Sequence, residues 1–283
     1  MPEANHPRLS LELVPSQPSE LASKSNLPVQ LTPLIGREKE IEAASGLLRR
    51  PEVRLLTLTG PAGVGKTRLA LKIAEDLANH FADGVYFVSP APIRDPELVV
   101  PTITQTLGVR EAGAKPLLER LKNRLADKRL LLLLDNFEQV VEEAPVVIEL
   151  LEACPDLKVL VTSRGHLQLS GEHEYPVPPL GLPDSDRSLN SNALWEYEAV
   201  KLFVTQARAA KPDFGLDEEN AAAVAQICVR LDGMPLPITL AAARIKLLPP
   251  RAMLDRLDQR LEVLTGGARD VPARHKMLRG ALQ

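Results

Sequence analysis

The chain has few cysteines, no dominant sign of charge and no long apolar run, and each absence narrows what it can be. Cys154 and Cys228 are the only cysteines in 283 residues. Both sit in apolar helical patterns, without a neighbour at the spacing of a zinc site or a redox pair, so they read as small core residues in a reducing compartment. Lys plus Arg total 34 against 37 Asp plus Glu, a formal charge of −3. That balance leaves no general footprint for nucleic acid or an acidic membrane. Even residues 251 to 279, with seven basic and four acidic side chains, read as a solvated helix face. The longest aliphatic run, Leu130 to Leu134, is far short of the ~20 residues of a membrane span and stops at Asp135. The start of the chain lacks a basic segment leading into an apolar one, so a soluble cytoplasmic protein is expected. His6, His80, His166, His173 and His275 are scattered without ligand spacing. The single tryptophan, Trp195, falls on the apolar face of a helical pattern and is expected to pack in a core or between domains.

What is present is 45% apolar residues, enough for real cores, over a length that allows one large domain or two modest ones. Residues 1–30 carry Pro2, Pro7, Pro15, Pro18 and Pro28 among polar residues without a sustained period, and are expected to form a disordered arm. Four short aliphatic runs then read as buried parallel strands: Arg54 to Thr59, Gly84 to Ser89, Leu130 to Asp135 and Lys158 to Thr162. A fifth, Glu174 to Val177, runs into Pro178 and is expected at a sheet edge. Between the strands lie helical patterns at Lys66 to Ala78, Glu97 to Leu107, Pro116 to Leu125 and Val140 to Ala153. Alternating strand and helix predict an α/β domain with helices on both faces of a mainly parallel sheet, over 31–182. From 183 to 265 the spacing is helical only, with helices expected at Trp195 to Ala210, Glu218 to Leu231, Pro235 to Leu247 and Pro250 to Leu264. Residues 266–283, with Gly266, Gly267 and Pro272, read as the opening of a further module.

The chemistry concentrates at three strand ends. Gly60, Pro61, Ala62, Gly63, Val64, Gly65, Lys66 and Thr67 fit G-x-x-x-x-G-K-[ST] between a buried strand and an amphipathic helix. The glycines permit a tight loop whose N–H groups face a polyphosphate, and the helix N-terminus adds partial positive charge. Lys66 would reach the β and γ phosphates, the Thr67 hydroxyl would bind Mg2+, and Arg68 follows in the first helical turn. Asp135 ends a wholly apolar strand, where open α/β sheets bind ligands, and would hold Mg2+ through water. Asn136 follows it and cannot act as a base. Glu138 is close enough to serve, or is simply an acid at a helix start. Thr162, Ser163 and Arg164 end the next strand and are placed to sense a γ-phosphate, Arg164 through a charge-assisted fork, although in isolation Arg164 would read as a solvated strand end.

Leu34-Ile-Gly-Arg37-Glu38, the phosphate loop, Leu134-Asp-Asn-Phe-Glu138, Thr162-Ser-Arg164 and Gly233-Met-Pro-Leu236, in that order, resemble the STAND class of signal-transduction ATPases. The similarity is to the NB-ARC-like module of bacterial transcriptional regulators and covers roughly residues 28 to 283. It implies a P-loop NTPase sheet of order 5-1-4-3-2 and a helical lid clamping ATP or ADP with Mg2+. It also implies that Ile35, Gly36, Arg37 and Pro235 lie on the adenine and ribose side. Met234 and Pro237 depart from the family's more usual Leu and Ala; Pro237 lies in a first helical turn, where a missing N–H costs nothing. Members continue into a winged-helix domain, so the chain is expected to be truncated before it. The functions in view are a slowly hydrolysing nucleotide switch in a transcriptional regulator, a multiple-turnover AAA-like remodelling ATPase, and a nucleotide-locked scaffold without hydrolysis. The switch, favoured by Asn136, implies protein partners or self-association in the ATP state, with no direct contact to nucleic acid or membrane.

Overall fold

The computed structural model describes residues 25–89, 96–109, 115–183 and 191–265. In chain order, α1 (Glu38–Arg49), β1 (Leu55–Thr59), α2 (Lys66–Asp76), β2 (Val85–Val88), α3 (Val99–Thr106), α4 (Leu117–Leu125), β3 (Leu131–Leu134), α5 (Ala144–Ala153), β4 (Lys158–Thr162) and β5 (Glu172–Pro176) build an α/β domain. The short α6 (Ser191–Leu194) and then α7 (Glu198–Ala210), α8 (Ala221–Arg230), α9 (Pro235–Ala242) and α10 (Pro250–Thr265) follow, with no further strand among the described residues.

All five strands are parallel, in the order β2-β3-β4-β1-β5. Read from the other edge this is the expected 5-1-4-3-2. The register sets Leu55 beside Val159 and Glu172, and Leu131 beside Lys158 and Val85. Alternate strand residues serve opposite faces. Leu55, Leu132, Leu134, Val159 and Val161 pack with Ile103, Leu121, Leu125 and Leu150 of α3, α4 and α5. Leu56, Leu58, Leu131, Leu133 and Leu160 pack with Ala44, Leu48, Leu69 and Ile73 of α1 and α2. Burial on both faces is why these strands read as unbroken aliphatic runs.

The helical unit has its own core of Val200, Phe203, Val204, Val224, Ile227, Cys228 and Ile238. Phe203 and Phe214 meet edge to face at 6.2 Å.

Several boundaries differ from the sequence reading. The fifth strand begins at Glu172 and closes at Pro176, where the lack of an N–H costs nothing at a strand end. The helix α1 had no counterpart in the expectations. The helix α7 starts at Glu198, so Trp195 lies in the turn after α6, half-buried, with the Arg208 guanidinium 5.4 Å from its ring centroid. Asp217 accepts the N–H groups of Glu219 and Asn220 and delays α8 until Ala221. The helix α9 ends at Ala242 rather than Leu247. Within the arm expected over 1–30, the described part is anchored. Ser25 bridges Val85, and the Asn26 amide pairs with both backbone groups of Phe87, donating at 2.8 Å and accepting at 2.6 Å. The further module expected at 266–283 lies outside the described residues.

Candidate functional site: a phosphate loop beneath the helical unit

The site forms at the C-terminal ends of β1, β3 and β4, which the sheet order makes neighbours. The loop after β1 enters α2 through Gly65, whose left-handed φ of 98° turns the chain into the helix. Lys66 is buried; its Nζ donates to the carbonyls of Gly60 at 2.8 Å and Pro61 at 3.1 Å. Burial lowers its pKa, the carboxylates of Glu138 and Asp135 pull it back up, and Arg164 lowers it further.

Across the sheet, the Thr67 hydroxyl donates to Asp135 Oδ1 at 2.6 Å. The Thr162 hydroxyl donates to the same oxygen at 2.6 Å and accepts the Asn136 N–H at 2.9 Å. The Asn136 amide reaches Asp135 Oδ2 at 3.1 Å. Thr67 in the first turn of α2 and Asp135 just after β3 are hard oxygen donors brought together, a donor set that fits Mg2+. Among the described residues there is no cluster of three His, Cys, Asp or Glu to make an all-protein metal cage. A cation here would complete its shell with phosphate oxygens and water, as Mg2+ does.

Arg164 Nε donates to Glu138 Oε1 at 3.1 Å, and Glu138 Oε2 is buried without a hydrogen-bond partner among the described residues. Of the three polar residues ending β4, only Arg164 is exposed, at 67% of its side chain. Thr162 and Ser163 are buried, and the Thr162 hydroxyl is bonded to Asp135 and Asn136.

The residues expected near the base and ribose lie where the linker, the loop and the helical unit meet. Ile35 packs into the helical core, while its neighbour Leu34 packs into the sheet core. A Cβ on Gly36 would collide with the Glu198 side chain at the start of α7. Arg37 is 3% exposed and donates to the Val64 carbonyl at 3.0 Å and to Glu40 at 3.2 Å, bracing the loop from below. Arg68 donates to the Thr32 and Pro33 carbonyls, tying the linker to α2. Pro235 opens α9 beside Gly65, and the Leu236 N–H donates to the Gly63 carbonyl at 3.2 Å. A Cβ at Gly63 would lie 3.1 Å from Leu236 Cβ, so the helical unit rests directly on the phosphate loop.

Three contributors escaped the sequence reading. Leu236 was inside a quoted motif, yet nothing showed that its N–H would reach the loop. Glu198 carried no signal at all. Glu174 accepts the Thr59 hydroxyl at 2.7 Å, a bond that depends on β1 pairing with β5.

No helix among the described residues is long and apolar enough to cross a membrane. Residues 50–175 match the family model described as "AAA domain". A protein of Mycobacterium tuberculosis named as an HTH-type transcriptional regulator is 38% identical over 230 residues, 81% of this chain and 24% of that protein. An uncharacterized protein of the same species is 36% identical over 239 residues, 84% of this chain and 57% of that one. The chain thus spans about a quarter of the first relative's length. Among solved structures, Cdc6p from Pyrobaculum aerophilum superposes with a TM-score of 0.51 at 15% identity, over 90% of this chain and 73% of that one. That likeness concerns the fold alone.

Proposed function

We propose that this chain, which carries an AAA-type P-loop domain, is the ATP- and ADP-binding switch core of a STAND-class transcriptional regulator. The observation that carries the reading is the 2.6 Å bond between Thr67 and Asp135, which joins the phosphate loop to the second motif strand beneath α9. Lys66 holds the β and γ phosphates, and Thr67 with Asp135 holds Mg2+. When bound, the cation neutralises phosphate charge. The position after Asp135, where fast ATPases of this architecture place an acid, holds Asn136, whose amide has no proton-accepting function at neutral pH. Glu138, a further carboxylate near the site, is tied to Arg164. Hydrolysis is therefore slow and acts as a timer.

The two nucleotides work by favouring different arrangements of sheet and helical unit, and each shifts the balance only by its difference in affinity for the two. The bond from Leu236 to Gly63 is the contact through which the loop feels that arrangement. Partners are protein, or a second copy in the ATP state, and the setting is cytoplasmic. The relative's description as an HTH-type regulator supports a role in transcriptional control.

The test is nucleotide extracted from freshly purified protein, wild type against Lys66→Ala. The wild type is expected to release close to one ADP per chain and Lys66→Ala almost none, with equal circular dichroism. Nucleotide retained at wild-type level by folded Lys66→Ala would sink the assignment of the loop.

A further inference from the structure

The residues around Asp135 carry an inference beyond nucleotide binding, although it rests on that reading. We propose that Thr162 and Asn136 are positioning residues that clamp Asp135 for the cation, so that Asn136 is the working half of a clamp and not a vacated catalytic position.

The argument follows from donor and acceptor counts. A threonine hydroxyl has one proton to give. The Asn136 N–H occupies the Thr162 oxygen as a donor at 2.9 Å, so the Thr162 proton must go elsewhere, and Asp135 Oδ1 receives it at 2.6 Å. The direction of each bond is thereby fixed. Asp135 Oδ1 accepts the hydroxyls of Thr67 and Thr162, and Oδ2 accepts the Asn136 amide at 3.1 Å. Three donors on the two carboxylate oxygens hold its rotamer. Asn136 can serve twice because its backbone is left-handed, with φ of 55°, a conformation that asparagine tolerates better than most side chains. The turn points its N–H at Thr162 while its side chain folds back on Asp135. An aspartate at 136 would set a second negative charge against Oδ2 and lose that donor.

Thr162 is fully buried and cannot touch a nucleotide without giving up Asp135. It acts through Asp135, as outer-shell groups act on a metal ligand. The site is built to keep its cation rather than to turn over quickly.

The test titrates Mg2+ against binding of a fluorescent ADP and repeats the ADP titration in EDTA. Thr162→Val and Asn136→Gly are each expected to raise the half-saturating Mg2+ roughly tenfold, in the range for lost outer-shell partners. Asn136→Gly keeps the left-handed backbone and the N–H to Thr162, so it reads the amide alone. Affinity in EDTA is expected to stay within about twofold of wild type, and Thr162→Ser, which restores the hydroxyl, to recover the Mg2+ requirement. A merely structural role would move both titrations together and would overturn the clamp. An unchanged Mg2+ requirement in the two variants, with wild-type ADP binding intact, would also overturn it while leaving the nucleotide reading standing. A folded wild type that binds no ADP in either condition would overturn the nucleotide reading and this inference with it.

Discussion

Gly233 joins the two halves of the molecule, and replacing it by alanine tests that joint. It follows α8 with φ of 65°, and a Cβ there would run into the Leu180 carbonyl oxygen. Its own carbonyl accepts the Leu180 N–H at 2.9 Å, and its N–H closes α8 on the Cys228 carbonyl at 3.1 Å. Alanine in the left-handed region costs about 1–2 kcal/mol. The clash is with backbone, so Leu180 must move and its hydrogen bond is lost, adding about 1 kcal/mol. The total of about 2–3 kcal/mol corresponds to a fall in Tm of roughly 3–5 °C for a chain of 283 residues. Gly46 is the control. It lies inside α1 with nothing within 4 Å of an added Cβ. Gly46→Ala should therefore stabilise by about 0.5–1 kcal/mol. Both are measured by thermal melts followed by circular dichroism. A Gly233→Ala melt within about 1 °C of wild type, or a shift of the same sign in both variants, would refute the reasoning.

Two further outcomes follow, one from a sheet edge and one from the helical core. Asn26→Ala removes the amide that pairs with Phe87, and the loss of about 1 kcal/mol is local. It should appear as faster hydrogen exchange at the Phe87 amide with Tm nearly unchanged, whereas unchanged exchange there would show that the amide does not protect the edge. Burial pushes the Cys228 thiol up to about 12 from its ordinary 9.0. The folded chain therefore holds this proton where the unfolded chain releases it, so the thiol's contribution is complete below about pH 9 and is lost as pH rises toward 12. Urea midpoints should decline more steeply above pH 9 in wild type than in Cys228→Ala, and parallel declines would contradict that burial.

The legible parts of the sequence were those governed by local rules. Strands β1, β3 and β4 stood out because burial on both faces demands unbroken aliphatic residues, and the phosphate loop because its glycines and Lys66-Thr67 have one chemistry in that context. The helix α1 has no such mark: its Ala44, Leu48 face is short and its outer face is charged. The bonds of Arg37 and Thr162 were not legible for a shared reason. A polar side chain at a linker or a strand end looks available in sequence, and only the fold shows which partners it takes, Val64 and Glu40 in one case and Asp135 and Asn136 in the other. Glu198 shows the opposite limit, since its importance lies in touching Gly36, more than a hundred and fifty residues away in the chain.

Those long-range contacts decide how a change at the phosphates can reach the helical unit. The loop is held from below by Arg37 on Val64 and from above by the Leu236 N–H on Gly63, so residues 63 and 64 cannot shift without disturbing one or the other. Arg37 leads directly into α1, which belongs to the sheet domain, whereas Leu236 begins α9, which packs on α7 in the helical core. One anchor therefore travels with the sheet and the other with the helices. On the switch proposed above, a displacement of the loop on exchanging a triphosphate for a diphosphate would favour one anchor over the other. Packed elements respond to such a choice by moving as units rather than by deforming gradually. The neighbouring contacts, Gly36 on Glu198 and Gly233 on Leu180, allow no room for a side chain and little for sliding. On the proposed reading, the Gly63–Leu236 bond is the contact through which the sheet and the helical unit bias one another.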